Sequence, residues 1–159
     1  MRSAKGKKSL FIVTNQPGIA GGTLTQQEVD SVNAHVVAQL EEAGVRITDA
    51  YVCPHSRQDR CHCIKPNPYF LKKAAAQYQV DLDESFTIGD HPHDVELAHN
   101  VGAQGIYVLT GHGVKHRPEL PKDTVISSGI SDAATRIAEM VGHSACWGSP
   151  ASSEKETDK

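Results

Sequence analysis

The chain has 159 residues, 22% of them charged and 38% hydrophobic, with a formal net charge of -3. That length suits one domain with a real core, and the negative balance supplies no basic field for nucleic acid. No run approaches the ~20 apolar residues of a membrane span, and MRSAKGKKSLFIVTN at the start lacks a small-residue cleavage site after its short apolar run. The expected setting is therefore the reducing cytoplasm, without membrane or nucleic-acid partners.

Leu10 to Thr14 (LFIVT) is continuous, apolar and β-branched, which predicts a strand buried on both faces of a parallel sheet. NQPGIAGGTLT follows it and predicts a loop at the strand's carboxyl end, where open α/β sheets place their ligands. Thr25 and Glu28 spell a capping box. Val29, Val32, Val36 and Leu40 then recur at helical spacing up to a stop at Gly44, so the helix is expected to bury that stripe against the sheet. Val45 to Val52 predicts a second strand and Pro68 to Gln79 a second helix with Pro at its start. Ser85 to Ile88 predicts a short strand ending in Gly89-Asp90. A third helix is expected from Pro92 through Asn100, ended by Gly102. Gly105 to Leu109 predicts another buried strand, followed by the loop TGHGVKHRPELPKD. Thr124 to Ser127 predicts an edge strand, and Ser131 is expected to cap a final helix with Ala134, Ile137 and Val141 inward. This alternation argues for a parallel α/β sheet wound on both faces. From Gly142 the composition turns to Ser, Gly, Lys and Glu, so residues 1–141 are expected to form the domain and 142–159 a disordered tail.

Between the second strand and second helix lies YVCPHSRQDRCHCIKP, holding three of the chain's four cysteines. Cys53 and His55 form one pair spaced by a single residue, Cys61 and Cys63 another. In a reducing compartment clustered cysteines mean metal more often than disulfide, and zinc prefers such a tetrahedral thiolate and imidazole set with no open position. The bland reading is three reduced cysteines and a surface histidine. His62 competes as a ligand, but the paired spacing uses Cys61 and Cys63 more economically. Cys146 lies far away and is read as incidental.

Three polar groups stand where strands end: Thr14 with Asn15, Lys65 after the cysteine loop, and Asp90 with Asp94. Together they describe a phosphate site with a magnesium ion. Thr14 and Asn15 can donate to phosphate oxygens, Lys65 can neutralise their charge, and Asp90 offers hard oxygen to magnesium. Each has an ordinary alternative as a cap or strand-end residue. Asp94 is read as structural, bonding to Lys65 or to loop amides. His91 and His93 around Pro92 are read as a solvated turn, with a metal ligand or proton source as the alternatives.

FIVTNQPGIAGG, then CPH with CHCIKPNP, then FTIGDHPHDVELAHNVGAQGIYVLTG resemble the haloacid dehalogenase phosphatases, within the zinc-loop subgroup that acts on heptose bisphosphate or histidinol phosphate. The match spans roughly Leu10 to Gly111. The resemblance implies a Rossmann-type parallel sheet with helices on both faces and a zinc-stabilised loop. It also implies that Thr14 and Asn15 bind the transferring phosphoryl group, Lys65 stabilises it and Asp90 holds catalytic magnesium. Cys53, His55, Cys61 and Cys63 fall on the family's structural zinc ligands, which shape the substrate loop. The family usually has Arg before the lysine where this chain has Ile64, which removes a guanidinium that could grip substrate.

A larger departure is an absence. The family's chemistry begins with Asp-x-Asp-x-Thr after a strand, whose first aspartate attacks phosphorus while the second acts as general acid and base. Only nine residues precede Leu10 and none is Asp, so the nucleophile and the central first strand are expected to be missing. The D-L-D-E-S segment from Asp81 follows a helical run and reads as a turn. The expectation is a monomeric phosphatase of a small phosphorylated metabolite, N-terminally truncated and inactive alone. The alternative is a catalytically dead zinc-loop module that binds a phosphorylated ligand or partner protein; a zinc-knuckle nucleic-acid binder is disfavoured by the negative charge and 5% aromatic content.

Overall fold

A computed structural model describes residues 8–142; the expected disordered tail beyond Gly142, with Cys146, lies outside the described residues. Strand β1 (Phe11–Asn15) leads through a short helix α1 (Pro17–Ala20) into the long α2 (Gln26–Glu42), followed by β2 (Asp49–Cys53) and α3 (Tyr69–Tyr78). The second half runs β3 (Phe86–Gly89), α4 (Pro92–His99), β4 (Gln104–Val108), α5 (Gly113–His116), β5 (Val125–Ser127) and α6 (Ile130–Met140).

Every strand pair is parallel, as an α/β chain requires, but the strands fall into two sheets. β1 pairs with β2, Phe11 opposite Asp49 through Asn15 opposite Cys53. β4 lies between β3 and β5. In a parallel ladder alternate residues turn their backbone groups to opposite edges. The carbonyl of Leu10 accepts from Thr48 N, and Gln16 N donates to Cys53 O, so the even-numbered residues of β1 face β2. Phe11, Val13 and Asn15 therefore present their backbone groups to the other edge. By the same reasoning Ser85 O, bonded to Gln104 N, places Phe86 and Ile88 on the edge of β3 away from β4. Among the described residues no strand pairs across these two edges.

Each sheet has its own core. Tyr51, Cys53, Cys63, Phe70 and Ala74 are buried together around β2 and α3, with Phe11, Val13 and Ile64 packed on them. The rings of Tyr51 and Phe70 stack 5.2 Å apart, and Phe11 lies 6.2 Å from Tyr51 on the other side. Ile106, Val108 and Ala133 form the second core, with Phe86, Ile88, Val125 and Ile137 against them. Burial of one such apolar side chain contributes about 1.5–3 kcal/mol, so neither cluster is large.

Several expectations need correction. The helix stripe is not covered: Val29 is buried, but Val32 is 63% and Val36 39% exposed. A helix of 17 residues is about 25 Å long, whereas two strands give a surface only ~5 Å from axis to axis. The capping box itself forms, with Glu28 N donating to Thr25 Oγ1 and Thr25 N to Glu28. The second strand starts at Asp49 and not at Val45. Ser131 does not cap the last helix; Gly129 occupies that position, and Asp132 folds back to accept from Ser128 N at 2.8 Å. Ala133 and Ala138 take the buried face, leaving Val141 exposed. The loop after β4 contains the short α5.

Candidate functional site

The cysteine loop closes on itself. The ligand atoms of Cys53, His55, Cys61 and Cys63 all lie within 4.8 Å of one another. The sulfur separations are 3.0 Å for Cys53 to Cys63, 3.5 Å for Cys53 to Cys61 and 3.6 Å for Cys61 to Cys63. His55 Nδ1 lies 3.3 Å from Cys63 Sγ and 3.8 Å from Cys53 Sγ. A tetrahedral ion with ordinary zinc bond lengths spaces its sulfurs about 3.8 Å apart and nitrogen to sulfur about 3.5 Å, so three thiols and an imidazole at these separations fit one such ion. Two short backbone elements produce this: Cys53 ends β2, and a 3₁₀ turn at Arg57–Asp59 reverses the chain through Arg60 in the left-handed region. Ser56 N donates to Asp59 Oδ2 at 2.6 Å to hold that turn. His62 stands outside the cluster, exposed, with its ring edge-on to Tyr69.

Burial pushes the Cys53 thiol up to about 12, helped by its bond to Cys63, and burial also raises Cys63. Cys61 is lowered despite its own desolvation, because hydrogen bonds from Cys53 and from the Cys63 backbone favour its thiolate. Ile64, at the position where the resemblance expects Arg, packs into the first core.

Residues from both halves meet at the carboxyl ends of the strands. Asn15 Oδ1 accepts from Lys65 N at 3.2 Å, which pins the exit of the cysteine loop to β1 and leaves the Asn15 amide to donate. Thr14 Oγ1 accepts from Gln16 Nε2, leaving its hydroxyl proton available. Lys65 Nζ reaches across the gap between sheets, donating to Val13 O at 3.2 Å and to Asp94 Oδ1 at 2.7 Å. The other oxygen of Asp94 accepts from His91 N, so Asp94 bonds to Lys65 and to a loop amide at once. Gly89 is required here, because a Cβ at that position would collide with the Asp94 carboxyl. Asp90 Oδ2 accepts from His112 N at 2.8 Å, and its carboxylate is 38% exposed. The D-L-D-E-S segment is a turn, Asp83 N donating to Asp81 Oδ1.

Sequence reasoning missed one group. His91 and His93 do not form a solvated turn: both are half-buried, their rings 4.5 Å apart, and His116 lies 4.7 Å from His91. Arg57, from the cysteine loop, donates to His93 Nδ1 at 2.9 Å. Burial lowers both His91 and His93 below the usual imidazole range, with His116 adding to it for the first and Arg57 for the second. The presence of two histidines around Pro92 was visible; their gathering with Arg57 and His116 depends on tertiary packing.

A HAD-hydrolase-like family model matches residues 62–135. The D-glycero-beta-D-manno-heptose-1,7-bisphosphate 7-phosphatase of Pseudomonas putida is 31% identical over 135 residues, covering 84% of this chain and 77% of that one. The bifunctional histidine biosynthesis protein HisB of Blochmanniella floridana is 29% identical over 100 residues, 63% of this chain but 28% of its own. Among solved structures, the heptose 1,7-bisphosphate phosphatase of B. bronchiseptica, complexed with magnesium and phosphate, superposes with a TM-score of 0.76 at 27% identity, covering 83% of this chain and 75% of that one.

Proposed function

Because this chain belongs to the haloacid dehalogenase-like hydrolases, a family of phosphoric monoester hydrolases, we propose that its rim binds the phosphomonoester of a sugar such as a heptose bisphosphate, or of histidinol. The observation that carries this is Lys65. Its ammonium is held between Val13 O and Asp94, and its backbone N–H bonds Asn15 at the end of β1; Thr14 stands on the same strand, and Asp90 follows the end of β3. A cation fixed at a strand end among hydroxyl and amide donors is preorganised for a phosphoryl group and costs no rearrangement when one arrives. Asp90 would hold magnesium, which neutralises phosphoryl oxygens when bound. Cys53, His55, Cys61 and Cys63 would hold structural zinc and so fix Lys65 from its own loop.

In the family's mechanism an aspartate of an Asp-x-Asp-x-Thr segment attacks phosphorus, and these 159 residues contain no such segment. The polypeptide alone is therefore a phosphate cradle without an attacker and does not turn over. Zinc-loaded protein assayed with magnesium on heptose bisphosphate and histidinol phosphate should release no phosphate, while calorimetry should detect phosphomonoester binding that Lys65→Met abolishes. Turnover that Asp90→Asn removes would refute the inactivity. Absence of any Lys65-dependent binding would refute the site. A second reading, a binding module for a phosphorylated ligand, is favoured by the cradle's being assembled within this chain; tight binding by a folded, inactive protein distinguishes it.

A further inference from the structure

We propose that His91, His93, His116 and Arg57 form a second anion subsite, which takes a non-reacting phosphoryl or carboxylate group of a substrate whose other end occupies the Lys65 site. This inference rests on the phosphate reading of the rim. It follows from hydrogen-bond roles. His91 Nδ1 accepts from the backbone N–H of His93 at 3.2 Å, so the proton of its neutral ring is on Nε2. Arg57 can only donate, so His93 Nδ1, 2.9 Å from its guanidinium, is an acceptor and His93 also carries Nε2–H. A metal ligand needs a nitrogen lone pair, and in these two rings the remaining nitrogen is a donor. His116 Nδ1 lies 2.6 Å from the Glu119 carboxylate, which can only accept, so that nitrogen is the donor.

The remaining ring nitrogens of His91 and His93, with the exposed guanidinium of Arg57, thus offer donors and no acceptor. A phosphoryl or carboxylate group is acceptor-only and complements them. Their place suits one ligand spanning both sites: His91 N and Lys65 Nζ bond opposite oxygens of the same Asp94 carboxylate. Arg57 comes from the same loop as Cys53, His55, Cys61 and Cys63.

The test is calorimetry on zinc-loaded protein with three probes: glucose 6-phosphate, glucose 1,6-bisphosphate and 6-phosphogluconate. A second charge-assisted contact should make one or both of the probes with two anionic groups bind about tenfold tighter than glucose 6-phosphate, and the preferred one identifies the group as phosphoryl or carboxylate. In a His93→Gln, His116→Gln variant that ratio should fall to within about twofold. Equal affinity for all three probes, with binding lost in Lys65→Met, overturns the subsite and leaves the rim reading intact. Binding insensitive to Lys65→Met overturns the rim reading itself. Nitrogen-15 spectra of the histidine rings give a readout independent of variant folding. Nε2–H tautomers at His91 and His93 that move with glucose 1,6-bisphosphate but not glucose 6-phosphate are expected, and an Nδ1–H tautomer at either overturns the proposal.

Discussion

Replacing Asp94 by Ala removes one of the links between the two halves of the molecule, the ion pair from Lys65 to α4. The side chains of Lys65 and Asp94 are 18% and 10% exposed, and Nζ lies 2.7 Å from Oδ1. Removing one member of a buried pair costs roughly 3–5 kcal/mol, because the partner charge remains without compensation. The slight exposure of Lys65 favours the lower end of that range. The same carboxylate accepts from His91 N at the start of α4, and loss of such a cap adds about 1 kcal/mol. Asp94→Ala should therefore lose about 3–4 kcal/mol, shifting the urea midpoint by more than about 1 M at the slope usual for a small domain. The assay is urea unfolding followed by far-UV circular dichroism at fixed zinc concentration. Asp94→Asn keeps an acceptor oxygen and should lose about half as much. Lys65→Met placed on Asp94→Ala should recover stability, since it removes the stranded charge, giving a coupling of at least about 1 kcal/mol. A loss below about 1 kcal/mol for Asp94→Ala, the size of a solvent-exposed pair, would refute the bridge.

Chelation should have an effect out of proportion to one loop: structural zinc sites have apparent binding free energies of ~10–16 kcal/mol, and Cys53 and Cys63 also belong to the first core. Zinc-free protein or Cys63→Ser should lose most circular-dichroism-detected cooperativity, and an unchanged unfolding curve would count against the ligand set. Because burial raises Cys53 to about 12 and raises Cys63, the metal-free loop carries these as thiols at neutral pH; zinc binding should release protons and weaken as pH falls. Calorimetry in two buffers of different ionisation enthalpy measures that release, and none at pH 7 would contradict it. Gly89→Ala should displace the Asp94 carboxyl and weaken phosphomonoester binding together with stability; a fully stable variant that binds as wild type would show the contact to be slack. Val32→Lys, at a 63% exposed position, should change stability by less than about 0.5 kcal/mol, and a larger loss by urea unfolding would show that something covers the helix.

The clustering of Cys53, His55, Cys61 and Cys63 was legible because its information is local: paired donors one residue apart can meet whatever the rest of the chain does. The ends of β1 and β3, at Thr14 and just before Asp90, were legible for a related reason, since a short apolar run followed by Gly, Asn or Asp marks where a strand stops. Bounds drifted where residues without strong preference flank a strand, as at Val45 to Thr48, which are irregular. Two features were opaque. Periodicity gave α2 an apolar stripe but carries no information on whether a surface exists to receive it, and Val32 and Val36 are exposed for want of one. Nor could spacing bring Arg57 to His93, 36 positions away, because that contact exists only once the two halves face each other.

The reach of Lys65 to Val13 O bears on how this molecule behaves in a crowded solution. Unfinished sheet margins are templates on which foreign extended peptide accretes, and natural proteins guard them with inward-directed charge. Here the guard is the Lys65 ammonium: a peptide aligning along β1 must first evict it from the carbonyl, whereas the margin formed by Phe86 and Ile88 has no such sentry among its own residues. Precipitation at high concentration should thus begin on the β3 side.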